Sequence, residues 1–464
     1  MRAGVHDSTS PTSPRRGSLD IAIVAAAFLA ISAWSASTQR VERLYADGQV
    51  YQWMAVQFFQ SHLPITGGAP WVYRVATPWL AAKLRPLVAR TLPRLDSSIE
   101  NASGMAGVTP FFVINIVASA AATLLLLLYL RRFVGSVGVR VLLVIVWIAT
   151  WHAPVRFVYF YPANVDALFM VFLLAGLLII EAWHGRSPVA TAFLLVPVVF
   201  VGMLVRESMV LIPIAFGVAQ IDGAARDRRA ARLMASVVPI VAAVLAWLFV
   251  RSIVMPLPGH PWSDFANIVR NKPIFTWVLA WFFTFGPPAI ALLAAGRLEV
   301  WAFLRTRPEI GVLVAACGVL GYFGGNGSDT ERLLAWGAPA MYVLVGEAIA
   351  ARRSVLARMP LLMSLLIVVE IASSRVLWPI PVGIDRAKTF ASLEPGWSAL
   401  RAIADKFLVI DSYYSNLWSF YGSRPVHAAT LAFDLALVAG VATWIERAAR
   451  APSPADLRSD ARIS

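Results

Sequence analysis

The sequence predicts an all-α fold: a polytopic transmembrane helical protein of about twelve spans, with surface helices in its first and last extracytoplasmic segments. Three observations predict it. Apolar residues fill 59% of the 464 positions and the mean hydropathy is +0.69, too apolar for a water-soluble domain of ordinary composition. Those residues gather in runs of the length that crosses a bilayer, about 20 residues, with some shorter. Arginine, which supplies most of the 40 basic residues, falls between the runs in alternate loops.

Taken in order, the apolar runs lie near residues 20–36, 109–130, 141–154, 164–181, 188–205, 207–221, 234–255, 274–295, 308–323, 333–350, 359–377 and 427–446. Short loops rich in Lys and Arg stay in the cytoplasm. With Arg2, Arg15 and Arg16 placed there, every second connection is also basic. These are Arg131, Arg132 and Arg140; Arg186; Arg226, Arg228, Arg229 and Arg232; Arg297, Arg305 and Arg307; Arg352, Arg353 and Arg358; and Arg447, Arg450, Arg458 and Arg462. Arg270 and Lys272, in an outer loop, run against the pattern.

The same alternation divides the unbroken apolar stretch 189–221. Arg186 and the Arg226 cluster share a side only if the chain crosses twice between them, turning at Arg206 and Glu207. The second crossing is then about 14 residues, or about 21 Å, short of a full hydrocarbon core. Run 141–154 is short as well. Short or broken spans surround cavities reaching into the membrane, because their ends must find water or protein partners.

Outside the spans, residues 1–19 read as a disordered cytoplasmic leader and 447–464 as a cytoplasmic tail, leaving 20–446 as the membrane domain. The first extracytoplasmic segment, 37–108, contains amphipathic stretches at 47–62 and 78–92. The last, 378–426, carries Trp378, Trp397, Tyr413, Tyr414, Trp418 and Tyr421, with an amphipathic stretch at 397–407. Helices lying flat on the membrane surface fit both, and the aromatics fit an interface belt.

Two function classes drop out. The formal charge of +14 invites a nucleic-acid partner, but the arginines alternate with apolar spans instead of forming one patch. Cys317 is the single cysteine, which excludes an intrachain disulfide, a zinc cluster and a thiol pair.

This topology sorts the remaining charges by side. Asp47, Arg74, Arg156, Asp166, Arg206, Glu207, Asp329, Glu331 and Arg332 all fall outside, most of them at span ends. Ionisable groups bordering hydrocarbon are costly, so both signs converging on one face imply a polar cavity there, suited to an anionic headgroup. Asp47 opens a run with Gly48, Gln49, Val50 and Tyr51, directly after the first span. It either caps the helix that follows or serves as a general base, with Gly48 permitting close backbone approach. Arg74, after Tyr73, either forks onto a phosphate or binds lipid headgroups. Glu207 either compensates Arg206 or belongs to the cavity, and Asp329 and Arg332 either pair locally or do the same. Asp166 follows Pro162 and either caps the next span or lines the cavity. Tyr51 is either a belt anchor or a sugar-stacking platform.

In this order and on this shared side, the motifs resemble bacterial multi-spanning glycosyltransferases of the GT-C superfamily. They are Asp-Gly-x-x-Tyr at Asp47, Tyr-Arg before an apolar Pro-Trp-Leu-Ala stretch at Arg74, Pro162 with Asp166, Arg206 with Glu207, and Gly327, Asp329 and Arg332. The resemblance covers most of residues 20–350 and implies a GT-C-like transmembrane glycosyltransferase domain in the plasma membrane, N-terminus cytoplasmic. It implies a polyprenyl-phosphate-linked sugar as donor, a glycan or lipid acceptor in the cell envelope, and reaction at the extracytoplasmic face. It makes Asp47 the catalytic base; beside it, the charge and placement of Arg74, Asp166, Arg206, Glu207, Asp329 and Arg332, with the ring of Tyr51, make these the candidate substrate-binding residues, the three arginines for the phosphate. Many relatives carry two acidic residues in the first loop, whereas position 46 here is Ala46. No tightly bound metal is therefore expected, although a loosely bound divalent cation is compatible with the set. The alternative is a polytopic transporter or lipid-carrier flippase, which needs midplane charge and internal repeats; Glu370 alone meets the first condition.

Overall fold

The computed structural model describes residues 14–39, 41, 47–150, 152–183, 187–221, 226–257, 270, 272–324, 330–373, 377, 419 and 424–450. The fold is a bundle of apolar helices, with a layer of short elements packed on one end of it.

The first helix, α1 (Pro14–Thr38), is followed by α2 (Asp47–Phe59), β1 (Ile65–Gly68), a 3-10 turn (Trp71–Tyr73), α3 (Ala76–Thr91) and α4 (Pro93–Ser103). The two amphipathic stretches expected in the first outer segment are thus α2 and α3. Helix α1 starts at Pro14, inside the leader assigned to 1–19; residues 1–13 and 451–464 lie outside the described residues. The bundle continues with α5 (Thr109–Leu130), α6 (Val137–Ala149), α7 (Pro154–Phe160), α8 (Asp166–Ala182) and α9 (Pro188–Val205). Ser187 caps α9 by accepting from the Ala190 amide at 3.2 Å, with Pro188 in the first turn where its missing N–H costs nothing. The turn expected at Arg206 and Glu207 is present: Arg206 is extended (φ −160°, ψ 136°), then a 3-10 turn (Glu207–Val210) leads into α10 (Leu211–Ile221).

Helix α11 (Arg226–Ile253) packs along α9 and runs into β2 (Val254–Leu257). Beyond it lie α12 (Ile274–Phe285), α13 (Pro287–Ala295), α14 (Arg297–Thr306), α15 (Pro308–Phe323), α16 (Thr330–Ala335), α17 (Ala338–Ala351), α18 (Arg353–Leu356), α19 (Pro360–Ser373) and α20 (Arg424–Arg450). Helices α12 and α13 meet at a 95° bend. Gly286 makes it, with φ +76°, and the carboxyl of Glu370 occupies the place a Cβ would take.

Every predicted apolar run coincides with a helix or a pair of helices. Among the described residues, six helical stretches are long and apolar enough to cross a membrane, or up to seven if the bent pair is one span. The rest are shorter apolar helices, including Pro308–Phe323, Ala338–Ala351 and Pro360–Ser373. The chain is predominantly helical, as expected, with one small addition: β1 and β2 form a parallel ladder, Ile65 opposite Val254 through Gly68 opposite Leu257. The ladder ties the stretch between α2 and α3 to the end of α11. Gln57 secures it by donating to the Thr66 carbonyl and accepting from the Thr66 amide, both at 2.8 Å. The expected helix at 397–407, and most of segment 378–426, lie outside the described residues.

The arginine-rich loops meet one another at one end. Asp20 of α1 pairs with Arg131 and Arg140; Arg307 pairs with Glu181 and Glu309; Arg352 pairs with Glu299; Arg297 pairs with Glu446. Helix α8 has Glu181 in its last turn and Asp166 as its first residue, which puts Asp166 about 22 Å away along the helix axis.

Candidate functional site

At that far end the charges expected on the outer side come together. Asp166 faces two guanidiniums: it accepts from Arg206 Nη1, and its Oδ2 lies 2.7 Å from Arg332 Nε. The second contact lacks hydrogen-bond alignment, so it is a Coulomb contact within a buried group. Arg332 also reaches Asp47, Nη2 to Oδ2 at 3.5 Å. Arg74 donates from Nε to Glu207 at 3.0 Å and from Nη1 to the Tyr51 hydroxyl at 2.7 Å. Three guanidiniums thus face three carboxylates. Side-chain exposure is 10% or less for Arg74, Asp166, Arg206 and Arg332, against 15% for Asp47 and 33% for Glu207, so the cluster opens at those two carboxylates.

Local structure explains each position. Asp47 is the first residue of α2, where the helix N-terminus favours a carboxylate. Arg74 ends the 3-10 turn, and the preceding Tyr73 is covered by the Arg251 guanidinium at 4.9 Å. Asp166 follows a loop pinned from α5: Asn115 Nδ2 donates to the carbonyls of Pro162 and Asn164, both at 2.9 Å, and Asn164 Oδ1 accepts from the Asp166 amide at 3.1 Å. Arg206 lies over Trp336 at 4.3 Å and Arg332 over Phe157 at 5.6 Å, cation–π contacts that help hold each guanidinium in place.

The electrostatics follow from burial and pairing. Burial pushes the Tyr51 hydroxyl up to about 12, with Asp47 adding to the rise and Arg74 opposing it. Burial works against the Arg74 cation, but Glu207 and Tyr51 outweigh it and raise its pKa. For Arg206, burial and then the neighbouring Arg74 lower the pKa, with Asp166 opposing. Arg206 Nε is buried without a hydrogen-bond partner among the described residues, as is Glu207 Oε1, so the cluster keeps donor and acceptor capacity to spare.

Of the residues singled out in the sequence, Asp47, Tyr51, Arg74, Asp166, Arg206, Glu207 and Arg332 therefore belong to one network, and Asp329 lies outside the described residues. Arg156 is buried elsewhere, donating to the Ala149 carbonyl at 3.1 Å, and Glu331 accepts from the Ser419 amide at 2.7 Å. Lys272, which broke the charge pattern, is buried; its ammonium donates to the Gly321 carbonyl at 2.8 Å and to Thr330 Oγ1 at 2.5 Å. It is an internal staple, so it does not obey a rule about exposed loops. Tyr161, Asn115, Asn164, Phe157 and Trp336 went unnoticed in the sequence. Only Asn115, a polar residue within an apolar span, carried a signal. Among the described residues no group of three His, Cys, Asp or Glu could hold a metal ion.

No protein-family model matches this chain, and no curated protein sequence matches it. Among solved structures it is similar to the apo-form crystal structure of the Archaeoglobus fulgidus oligosaccharyltransferase, with 12% sequence identity and a TM-score of 0.44. The match covers 89% of this chain and 57% of that one, so this chain spans just over half the length of that protein. At this identity no residue role carries from one to the other.

Proposed function

We propose that this protein is a membrane glycosyltransferase of the GT-C type. It moves a sugar from a polyprenyl-phosphate donor to a hydroxyl of a glycan or lipid acceptor of the cell envelope, at the extracytoplasmic face of the plasma membrane. The observation that carries the proposal is the meeting of Asp47, Arg74, Asp166, Arg206, Glu207 and Arg332 at one end of a bundle of apolar helices. Charge held at such a place is expensive, and a partly open network with spare donors suits an anion presented by a lipid.

Arg74, Arg206 and Arg332 hold the donor phosphate and take up the charge that develops as the sugar leaves. The acceptor oxygen forms a bond to the anomeric carbon, and the carbon–oxygen bond to phosphate breaks with its electron pair going to the phosphate. Asp47 takes the acceptor's hydroxyl proton. Attack opposite the phosphate inverts the anomeric centre. A lipid phosphate leaves readily, so no general acid is assigned. Tyr51, Asp166 and Glu207 keep the arginines in place, and Asp329, three positions before Arg332, is assigned to the same site.

The proposal places the N-terminus and the arginine-rich end in the cytoplasm, treats 20–446 as one transferase domain, and counts the shorter helices among about twelve crossings. It assigns no tightly bound metal, because Asp47, Asp166 and Glu207 already face guanidiniums; a loosely held divalent cation is compatible with the open side.

The test is donor consumption by the full chain in proteoliposomes, against a panel of short-chain polyprenyl-phosphate hexoses and pentoses. Turnover by the wild type that is lost in Asp47→Asn supports the proposal. A panel left untouched, or an Asp47→Asn variant as active as wild type, contradicts it.

One observation favours a second function, movement of a lipid carrier across the membrane. Glu370 of α19 and Asp434 of α20 are buried in helices packed on α13, and Glu370 sits against the Gly286 bend. Intramembrane carboxylates beside a broken helix are what transporters use. That activity would move a labelled lipid unchanged and be lost in Glu370→Gln but kept in Asp47→Asn.

A further inference from the structure

Gly48 is where the start of α2 touches the chain leaving α7. Its amide is 2.9 Å from the Tyr161 hydroxyl oxygen and 3.1 Å from Asp47 Oδ1, so one donor is shared between the phenol and the carboxylate beside it. The approach depends on glycine: a Cβ at position 48 would lie 2.4 Å from the Tyr161 oxygen and 2.8 Å from Cζ. Tyr161 is itself fixed. Its ring is buried against Phe157 and Phe160, and its carbonyl accepts from Asn164 Nδ2 at 2.6 Å. The same short loop, held from α5 by Asn115, ends in Asp166, which sets Arg206 and Arg332.

We propose that Tyr161 is a positioning residue for Asp47: its hydroxyl anchors the Gly48 amide in the first turn of α2, so that the base and the phosphate-holding arginines are referenced to one loop. This rests on Asp47 being the base of the transferase described above. The alignment matters because a displacement of about 1 Å from the reacting geometry costs about 100-fold in rate. Loosening the anchor tilts the start of α2, and with it the carboxylate, while the donor phosphate stays with its arginines. The loss therefore falls on turnover and spares donor binding. Tyr161→Phe keeps the buried ring and removes only the oxygen. Gly48→Ala keeps the oxygen and forces a methyl against it.

The experiment is a double-mutant cycle in the full chain, in proteoliposomes, using whichever polyprenyl-phosphate sugar the wild type consumes. Tyr161→Phe is expected to lower kcat about tenfold with donor KM within about twofold, and Gly48→Ala to lower kcat at least as far. The double variant should be no slower than Gly48→Ala alone, because both changes break one contact. Thermal melting in detergent checks that each variant is folded; a Tyr161→Phe variant that fails to fold has a structural role and overturns the inference. Wild-type kcat in Tyr161→Phe, losses that multiply in the double variant, or KM rising in step with the fall in kcat would also overturn it. A wild type that consumes no donor removes the transferase assignment and this inference together, whereas an active wild type with an unaffected Tyr161→Phe removes the inference alone.

Discussion

Arg332 reaches Asp47 across 285 positions of the chain, Nη2 to Oδ2 at 3.5 Å, while its Nε lies 2.7 Å from Asp166. One planar guanidinium thus spans the proposed base and the first residue of α8. Lysine keeps the charge but offers a single compact ammonium that cannot serve both carboxylates. Arg332→Lys is expected to lower kcat/KM for donor about 100-fold, approaching the loss in Arg332→Ala. Near-normal kinetics in the lysine variant would mean that charge alone is required.

Asp166 separates Arg206 from Arg332, and its side chain is 5% exposed. Removing its charge leaves two buried guanidiniums facing each other, and breaking a buried network in this way costs about 3–5 kcal/mol. Asp166→Asn should melt well below wild type in detergent and be inactive. An unchanged melting temperature would show that the network is solvated and contributes little.

Tyr51 is completely buried and holds Arg74. Its hydroxyl, raised from an ordinary value of 10.0 to about 12 by burial, stays protonated at any working pH. Because the folded value is the higher one, its contribution to stability is full below about pH 10 and is lost as pH rises through about 12. Tyr51→Phe should lower turnover about tenfold by loosening Arg74 while leaving the shape of the pH–rate profile between about pH 5 and 9 unchanged. A limb that disappears from that profile would make Tyr51 a titrating group of the reaction.

Chelation tests the absence of a tightly bound metal from the mechanism. With Asp47, Asp166 and Glu207 facing arginines, treatment with EDTA is expected to leave donor turnover within about twofold of untreated protein. Loss of activity that is restored by magnesium or manganese would bring a cation into the site.

The helices were legible because a bilayer demands long apolar runs, and the arginine alternation located even the turn at Arg206 without a break in hydropathy. Asp166, Arg206, Glu207 and Arg332 drew notice as charges at the ends of apolar runs, and Asp47 and Arg74 by falling on the same side in the arginine alternation; the structure brings all six into one network. The β1–β2 ladder was not. Each strand has four residues, the two are far apart in the chain, and Val254 and Met255 look like the end of the preceding span. Tyr161 and Trp336 were hidden because aromatics are common at membrane interfaces, and only the fold distinguishes a residue that holds Gly48 or covers Arg206. Lys272 shows the converse, a charge that looked exposed and is buried against carbonyls.

The most direct test of the central claim is sidedness. In a Cys317→Ser background, Asp47→Cys and Arg332→Cys are each treated with a small charged thiol reagent in right-side-out and in inverted vesicles. Both cysteines should react from the same, extracytoplasmic side, with reaction slowed by a polyprenyl-phosphate sugar that the wild type consumes. Reaction of the two positions from opposite sides of the bilayer would contradict a single site.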